Sequence, residues 1–209
     1  QGLGRTLQIT VMALIIGVIL GVAVAVLRTA HDQQRVGQRS MVLGIINTVC
    51  KLYTTIIRGT PMMVQLLIMS LVIFSHSRDF AMVGALTLGI NSGAYVAEIV
   101  RSGLMSVDAG QMEAGRNYSI TMRFVVVPQA IKNILPALGN EFITLLKDTS
   151  LITVIGGKEM LYAAQAIYAK TYAPMMPLVG TAILYLIVVV LFTWLLGILE
   201  RRLRQSDRR

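Results

Sequence analysis

Apolar residues run without a charge from Ile9 to Leu27, a stretch of 19 positions. A helix rises about 1.5 Å per residue, so this length matches the hydrocarbon core of a bilayer. A second such run covers Met175 to Leu199, with Trp194 near its far end and Glu200-Arg201-Arg202 closing it like an interfacial anchor. Phe80 to Val100 is a third, broken only by Glu98. Ile134 to Leu146 is a shorter fourth that carries Glu141 and must extend in one direction or the other. Ser40 to Phe74 is apolar but interrupted by Lys51, Arg58 and Pro61. Its pattern predicts an amphipathic helix over Ser40–Ile57 on the inner membrane surface, leading into a span near Pro61–Phe74. The expected fold is therefore an all-α integral membrane domain with five transmembrane helices, a single unit over residues 1–209.

Five is an odd number, so the termini fall on opposite faces. With the N-terminus outside, the inner face holds Arg28, Arg35, Arg39, Lys51, Arg58, Arg101, Arg116, Arg123, Lys132 and the five arginines of the tail. The outer face keeps Arg5, Arg78, Lys147, Lys158 and Lys170. Fourteen cations against five fits the positive-inside bias. A sixth span at Ser40–Ile57 would put either Arg28 to Arg39 or the Arg116 loop outside.

Composition agrees. Of 209 residues 55% are hydrophobic and only 14% charged, where soluble domains carry about a quarter charged. The net charge of +9 does not imply nucleic acid, because the cations sit between and after apolar runs. The lone Cys50 excludes an intrachain disulfide framework and any multi-cysteine metal site. Gln1-Gly2-Leu3 shows neither a Met nor a signal-peptide pattern, so the natural N-terminus is expected to lie upstream. Gly17 and Gly21, four apart on the first span, suit close approach of another helix or simply a glycine-tolerant lipid helix. The methionines, among them Met62, Met63, Met69 and Met82, are read as adaptable packing.

A polar segment interrupts this apolar order at 108–127. It contains Gly110-Gln111-Met112-Glu113-Ala114-Gly115-Arg116 and runs through Arg123-Phe124 to Val127-Pro128-Gln129-Ala130. Asp108 is placed to cap a helix starting near Ala109. Glu113 and Arg116, three apart, share one face of that helix and can pair with each other or read charges on a partner. Pro128 and Pro136 are expected to break regularity before the next span.

These blocks carry a resemblance. Arg58-Gly59-Thr60-Pro61, then Asn91-Ser92-Gly93-Ala94-Tyr95-Val96-Ala97-Glu98-Ile99-Val100-Arg101, are similar to motifs of polar amino-acid permeases of the histidine/glutamine type. So are Pro128-Gln129-Ala130, Pro136, Gly139-Asn140-Glu141-Phe142 and Lys147-Asp148-Thr149-Ser150-Leu151. Such permeases are membrane subunits of type I ABC importers, and the match runs over nearly the whole chain. The resemblance implies a coupling loop, with Gln111, Glu113, Ala114, Gly115 and Arg116 docking into a separate ATPase. It implies as partners an ABC ATPase dimer, a second permease copy or paralogue, an extracytoplasmic amino-acid-binding protein, an amino-acid substrate and the lipid bilayer. The compartment it implies is the bacterial inner membrane. One departure stands out: Asn117-Tyr118 follows Arg116 directly, where the family runs through a Ser-Leu-Gly-like turn. Either the loop is shortened here or residues are missing from this sequence.

Ionisable groups inside spans are costly and need a reason. Glu98 and Arg101 can pair at helical spacing, or Glu98 can serve a substrate. Glu141 is the leading candidate ligand for a substrate ammonium group, with a bridge to Arg101 or Lys132 as the structural alternative. Asp148 and Ser150 offer an acceptor and a hydroxyl beside Lys147, or else a helix cap. Asn91 and Tyr95 complete the predicted substrate-binding set on the third span. No catalytic and no metal-binding residue is expected, nor any cofactor in this chain. Gly156-Gly157-Lys158-Glu159 lacks both the spacing and the Ser or Thr of a phosphate loop, which leaves ATP and Mg to the partner ATPase. Two rival functions are an intramembrane serine protease using Ser92 with His76 and an ion-coupled carrier. The first needs two distant residues to meet; the second needs an internal repeat that the chain does not show.

Overall fold

The computed structural model describes residues 1–34, 40–106 and 126–205. All its regular elements are helical. They are α1 (Gly2–Asp32), α2 (Met41–Gly59), α3 (Met62–Ile68, continued by a π turn over Met69–Ile73) and α4 (Phe80–Met105). After residue 125 come α5 (Val127–Asp148), a 3-10 segment (Thr149–Ile155), α6 (Met160–Thr171) and α7 (Met175–Gln205). Four of these are long and apolar enough to cross a membrane: α1, α2, α4 and Met175–Leu203 of α7.

The centre of the fold is the pairing of α1 with α4. Ala13, Gly17, Gly21 and Ala25 are buried at four-residue intervals on α1. Ala85, Gly89, Gly93 and Ala97 form the same ladder on α4. Positions four apart stack on one helix face, so each ladder is a smooth ridge. The ridges meet side by side: a Cβ on Gly17 would lie 2.8 Å from Ser92 Oγ, and one on Gly89 would lie 2.7 Å from Ile16 Cβ. Residue numbers rise together along this contact, so α1 and α4 run parallel. The spacing of Gly17 and Gly21 is thus a packing face.

An intervening return is required, and α2 with α3 supplies it. Asn47 meets His31 near the end of α1, Tyr53 Oη donates to the Ile90 carbonyl at 2.5 Å, and Leu66 joins the core beside Val83 and Leu88. The element therefore climbs along α1 and α4. This corrects the expected placement of Ser40–Ile57 on the inner surface. The helix exists where predicted, but it packs along α1 and α4 and is itself long and apolar enough to cross a membrane.

The break has a local cause. Pro61 has no N–H, so the Ile57 carbonyl loses its partner four residues on, and Thr60 before it is pushed to extended geometry (φ −116, ψ 144). Pro136 does not break its helix, contrary to expectation: α5 continues through it, with Pro128 in the first turn. The fourth predicted span extends in both directions, to the 22 residues of α5.

At the far end of the bundle, Gly156 ends the 3-10 segment with φ +89, a conformation that favours glycine. Glu159 then caps α6 by accepting from Tyr162 N at 2.7 Å. Its carboxylate is fully buried and also accepts from Thr153 Oγ1 and from Tyr185 Oη, the latter at 2.8 Å. That one side chain ties the 3-10 segment, α6 and α7 together.

Candidate functional site

One set of polar side chains lies along the middle of α4. Asn91, Tyr95 and Glu98 follow one another at spacings of four and three, which puts them on one face. The glycine ridge against α1 lies on another face. Each of the three meets a partner from a different element, and none of these partners is near in sequence.

Asn91 Nδ2 donates to Gln65 Oε1 at 3.0 Å. Gln65 Nε2 in turn donates to the Ile57 carbonyl at 2.7 Å, to Thr60 Oγ1 at 2.8 Å and to the Thr60 carbonyl at 3.2 Å. The amide thus supplies the donor that Pro61 cannot, and Asn91 orients the amide. Thr60 Oγ1 donates to the Ile56 carbonyl at 2.8 Å. The broken helix is held open with its carbonyls satisfied, which a membrane interior demands.

Tyr95 is partly exposed and carries the Arg58 guanidinium over its ring, 5.2 Å from the centroid. This cation–π contact lets an arginine sit beside the helix break at the depth of Tyr95. Among the described residues no carboxylate lies within 4.0 Å of Arg58.

Glu98 pairs with Arg28 of α1, while Arg101 donates to Asp32 Oδ2 at 2.9 Å. The local Glu98–Arg101 pair is therefore corrected: both reach across to α1 instead. His31 Nδ1 lies 3.1 Å from Asn47 Nδ2 and 3.3 Å from Asp32 Oδ1, closing a polar cluster at the ends of α1, α2 and α4.

Glu141 comes from α5 and accepts from Ser92 Oγ at 2.7 Å. The expected alternatives, a bridge to Arg101 or to Lys132, are replaced by this hydroxyl. Ser92 itself is fully buried. Its engagement and its place in mid-helix separate it from His76, which lies in the turn before α4 next to Ser75. The serine-protease pairing is not formed.

Asp148 lies seven residues beyond Glu141, on the same face of α5 and about 10 Å further along the axis. It is not a side-chain cap for the following segment. Ser150 Oγ is turned to the Lys147 carbonyl at 2.7 Å. The structure thus puts Asn91, Tyr95 and Glu98 on one face of α4, ties Glu141 to the adjoining Ser92, and leaves Asp148 and Ser150 about two turns further along the chain from Glu141. The residues expected to couple, Gln111, Glu113, Ala114, Gly115 and Arg116, and the expected cap at Asp108 lie outside the described residues.

Sequence reasoning missed Gln65 and the contact of Arg58 with Tyr95. The signal was present: a proline inside an apolar run leaves a carbonyl free, and a Gln one turn later is within reach of it.

Several known proteins are similar to this chain in sequence or in fold. Over 97% or more of its length the chain resembles curated bacterial permeases. It is 35% identical to the arginine transport system permease protein ArtQ of Bacillus subtilis, across 99% of this chain and 93% of that protein. It is 32% identical to the glutamine transport system permease protein GlnP of Escherichia coli, across 98% and 92%. Among solved structures, an amino acid ABC transporter crystallised with histidines superposes with a TM-score of 0.86 at 40% identity, covering 96% of this chain and 92% of that one. The inward-facing MetNI methionine ABC transporter shares the fold at a TM-score of 0.74 and 19% identity, over 97% of this chain and 94% of that one. Residues 17–205, which include α4, the helix break and α5, match the pattern of the binding-protein-dependent transport system inner membrane components, and the chain belongs to that family.

Proposed function

We propose that this chain is the permease subunit of an ATP-driven importer of polar amino acids, and that its solute passes the shared face of Asn91, Tyr95 and Glu98 opposite Glu141. One observation carries the reading: intramembrane polar groups converge on mid-α4, beside a helix break that is held open by Gln65. A zwitterion needs both charges met as it crosses, since burying either unpaired costs several kcal/mol or more. Glu141 meets the ammonium group; Asn91 and backbone amides meet the carboxylate. Asp148 and Ser150 extend the same path along α5.

The chain supplies the path and not the energy. ATP and Mg are bound by a dimeric partner ATPase, into which Gln111, Glu113, Ala114, Gly115 and Arg116 dock. Two copies, or this chain and a paralogue, enclose one path in the bacterial inner membrane. Five crossings put the N-terminus outside and the C-terminus inside, with α2 and α3 counted as one.

The test is uptake by proteoliposomes holding the permease, its ATPase and its binding protein, offered each common amino acid with and without ATP. ATP-dependent accumulation of one or a few polar amino acids is expected. In the same assay Glu113→Lys should leave ATP hydrolysis running without uptake. Uptake driven by an ion gradient in the absence of ATP would overturn the assignment.

A further inference from the structure

Three cations that the inner-face bias leaves outside converge on one pocket. Arg5 comes from the first turns of α1, Arg78 from the turn before α4, and Lys158 from the turn before α6. With Phe80, Ala81, Gly156 and Gly157 they line a cavity of about 220 Å³. All three side chains are exposed at its mouth. Among the described residues none of them has a carboxylate within 4.0 Å. Asp79 also lines the cavity, but its Oδ1 is engaged by Met82 N at 3.0 Å as the cap of α4. Glu159, next to Lys158, is buried and occupied by Thr153, Tyr162 and Tyr185.

Three positive charges from three separate elements outnumber the single carboxylate of Asp79, so the pocket is net positive and gains when a further anion arrives. The family is defined by dependence on a binding protein, which must meet the permease on the face that receives solute. We infer that the Arg5–Arg78–Lys158 pocket is the docking socket for an acidic side chain of that binding protein. The inference rests on the orientation proposed above. The socket also has a direct route inward: α1 and α4 both start at its rim and run together to the middle of α4 at Asn91 and Ser92.

The test uses the permease assembled with its ATPase in proteoliposomes, titrated with the purified, solute-loaded binding protein of the same transporter. The triple variant Arg5→Gln, Arg78→Gln, Lys158→Gln should raise the half-saturating concentration for ATPase stimulation about tenfold, with basal hydrolysis unchanged. Added salt should weaken docking to the wild type and affect the triple variant much less. The charge-preserving set Arg5→Lys, Arg78→Lys, Lys158→Arg should dock within about twofold of wild type, and shows that assembly survives substitution there. An unchanged half-saturation or an unchanged salt slope in the triple variant overturns the proposal. So does a response confined to anionic lipid in the vesicles, which would make the pocket a headgroup site. Impermeant labelling of a cysteine at position 78, in a background without Cys50, reads the orientation separately: labelling from inside only would refute that reading instead.

Discussion

α4 and α7 are both apolar helices of membrane-crossing length, and they are treated in opposite ways. In its most apolar stretch α4 is 61% buried within the chain, while α7 is 6% buried. Yet α7 is the more apolar of the two, rich in Leu, Val and Ile, whereas α4 carries Gly84, Gly89, Gly93, Ser92, Thr87 and Asn91. In water the order would be reversed. In lipid, apolar surface gains nothing by leaving its surroundings, so small residues that allow close approach and polar residues that need partners go inside. Among the described residues, α7 is fastened by Tyr185 to Glu159, by Phe192 edge-on to Phe142 at 4.8 Å and by Leu196 against Gly139. Its remaining surface is left for lipid or for a second chain.

The largest effect should come from filling the ridge of small residues. A Cβ on Gly21 would lie 2.6 Å from Val96 Cβ and 2.9 Å from Ala97 N, so Gly21→Leu has to force α1 and α4 apart. We expect a loss of about 3 kcal/mol or more, read as thermal unfolding of the detergent-purified subunit. Leu186→Ala on the exposed side of α7 should cost under about 0.5 kcal/mol in the same assay. Comparable losses at the two positions would break the contrast.

Next comes the charge pair between α1 and α4. Arg28→Met leaves Glu98 in the membrane without its guanidinium and should destabilise by about 2 kcal/mol, discounted from fully buried pairs because Glu98 is partly exposed. The double variant Arg28→Met, Glu98→Met should recover most of that loss. Equal stability of the single and double variants would show that the two side chains do not depend on each other.

The smallest effect sharpens the comparison at the helix break. Gln65→Leu removes the donor to the Ile57 and Thr60 carbonyls and frees Asn91, for a loss of about 1 kcal/mol. Amide hydrogen exchange in residues 56–66 should rise with it. No change in either quantity would mean that the break is stabilised elsewhere.

The contrast also explains what could be read from the chain beforehand. Length and lack of charge are local properties, so α1, α4 and α7 were visible as spans, and α5 as a shorter one. Placement of α2 was not. Lys51 and Arg58 mark a surface helix when each charge is weighed alone, but Arg58 is accommodated by the Tyr95 ring, which lies 37 positions further along the chain. Partners of the candidate site residues escaped for the same reason. Spacing suggested Glu98 with Arg101, whereas the parallel ridge of glycines brings α1 close enough for Arg28 and Asp32 to take both. Glu141 had no local partner and found Ser92 across 49 positions. The candidate residues themselves were legible because a charge inside an apolar run stands out; their connections were tertiary.

Glu141 is the residue on which the proposed path turns, and one substitution separates its charge from its hydrogen bond. In Glu141→Gln the side chain keeps an oxygen for the Ser92 hydroxyl, so the contact between α4 and α5 survives, while the counter-charge for an ammonium group is lost. The direct measurement is ATP-dependent uptake of the identified amino acid by proteoliposomes carrying this variant, alongside assembly with the ATPase and basal hydrolysis. We predict that uptake falls about tenfold or more, with assembly and basal hydrolysis at wild-type levels. Normal uptake, or failure to assemble, would show that Glu141 only joins two helices, and the path would have to run elsewhere.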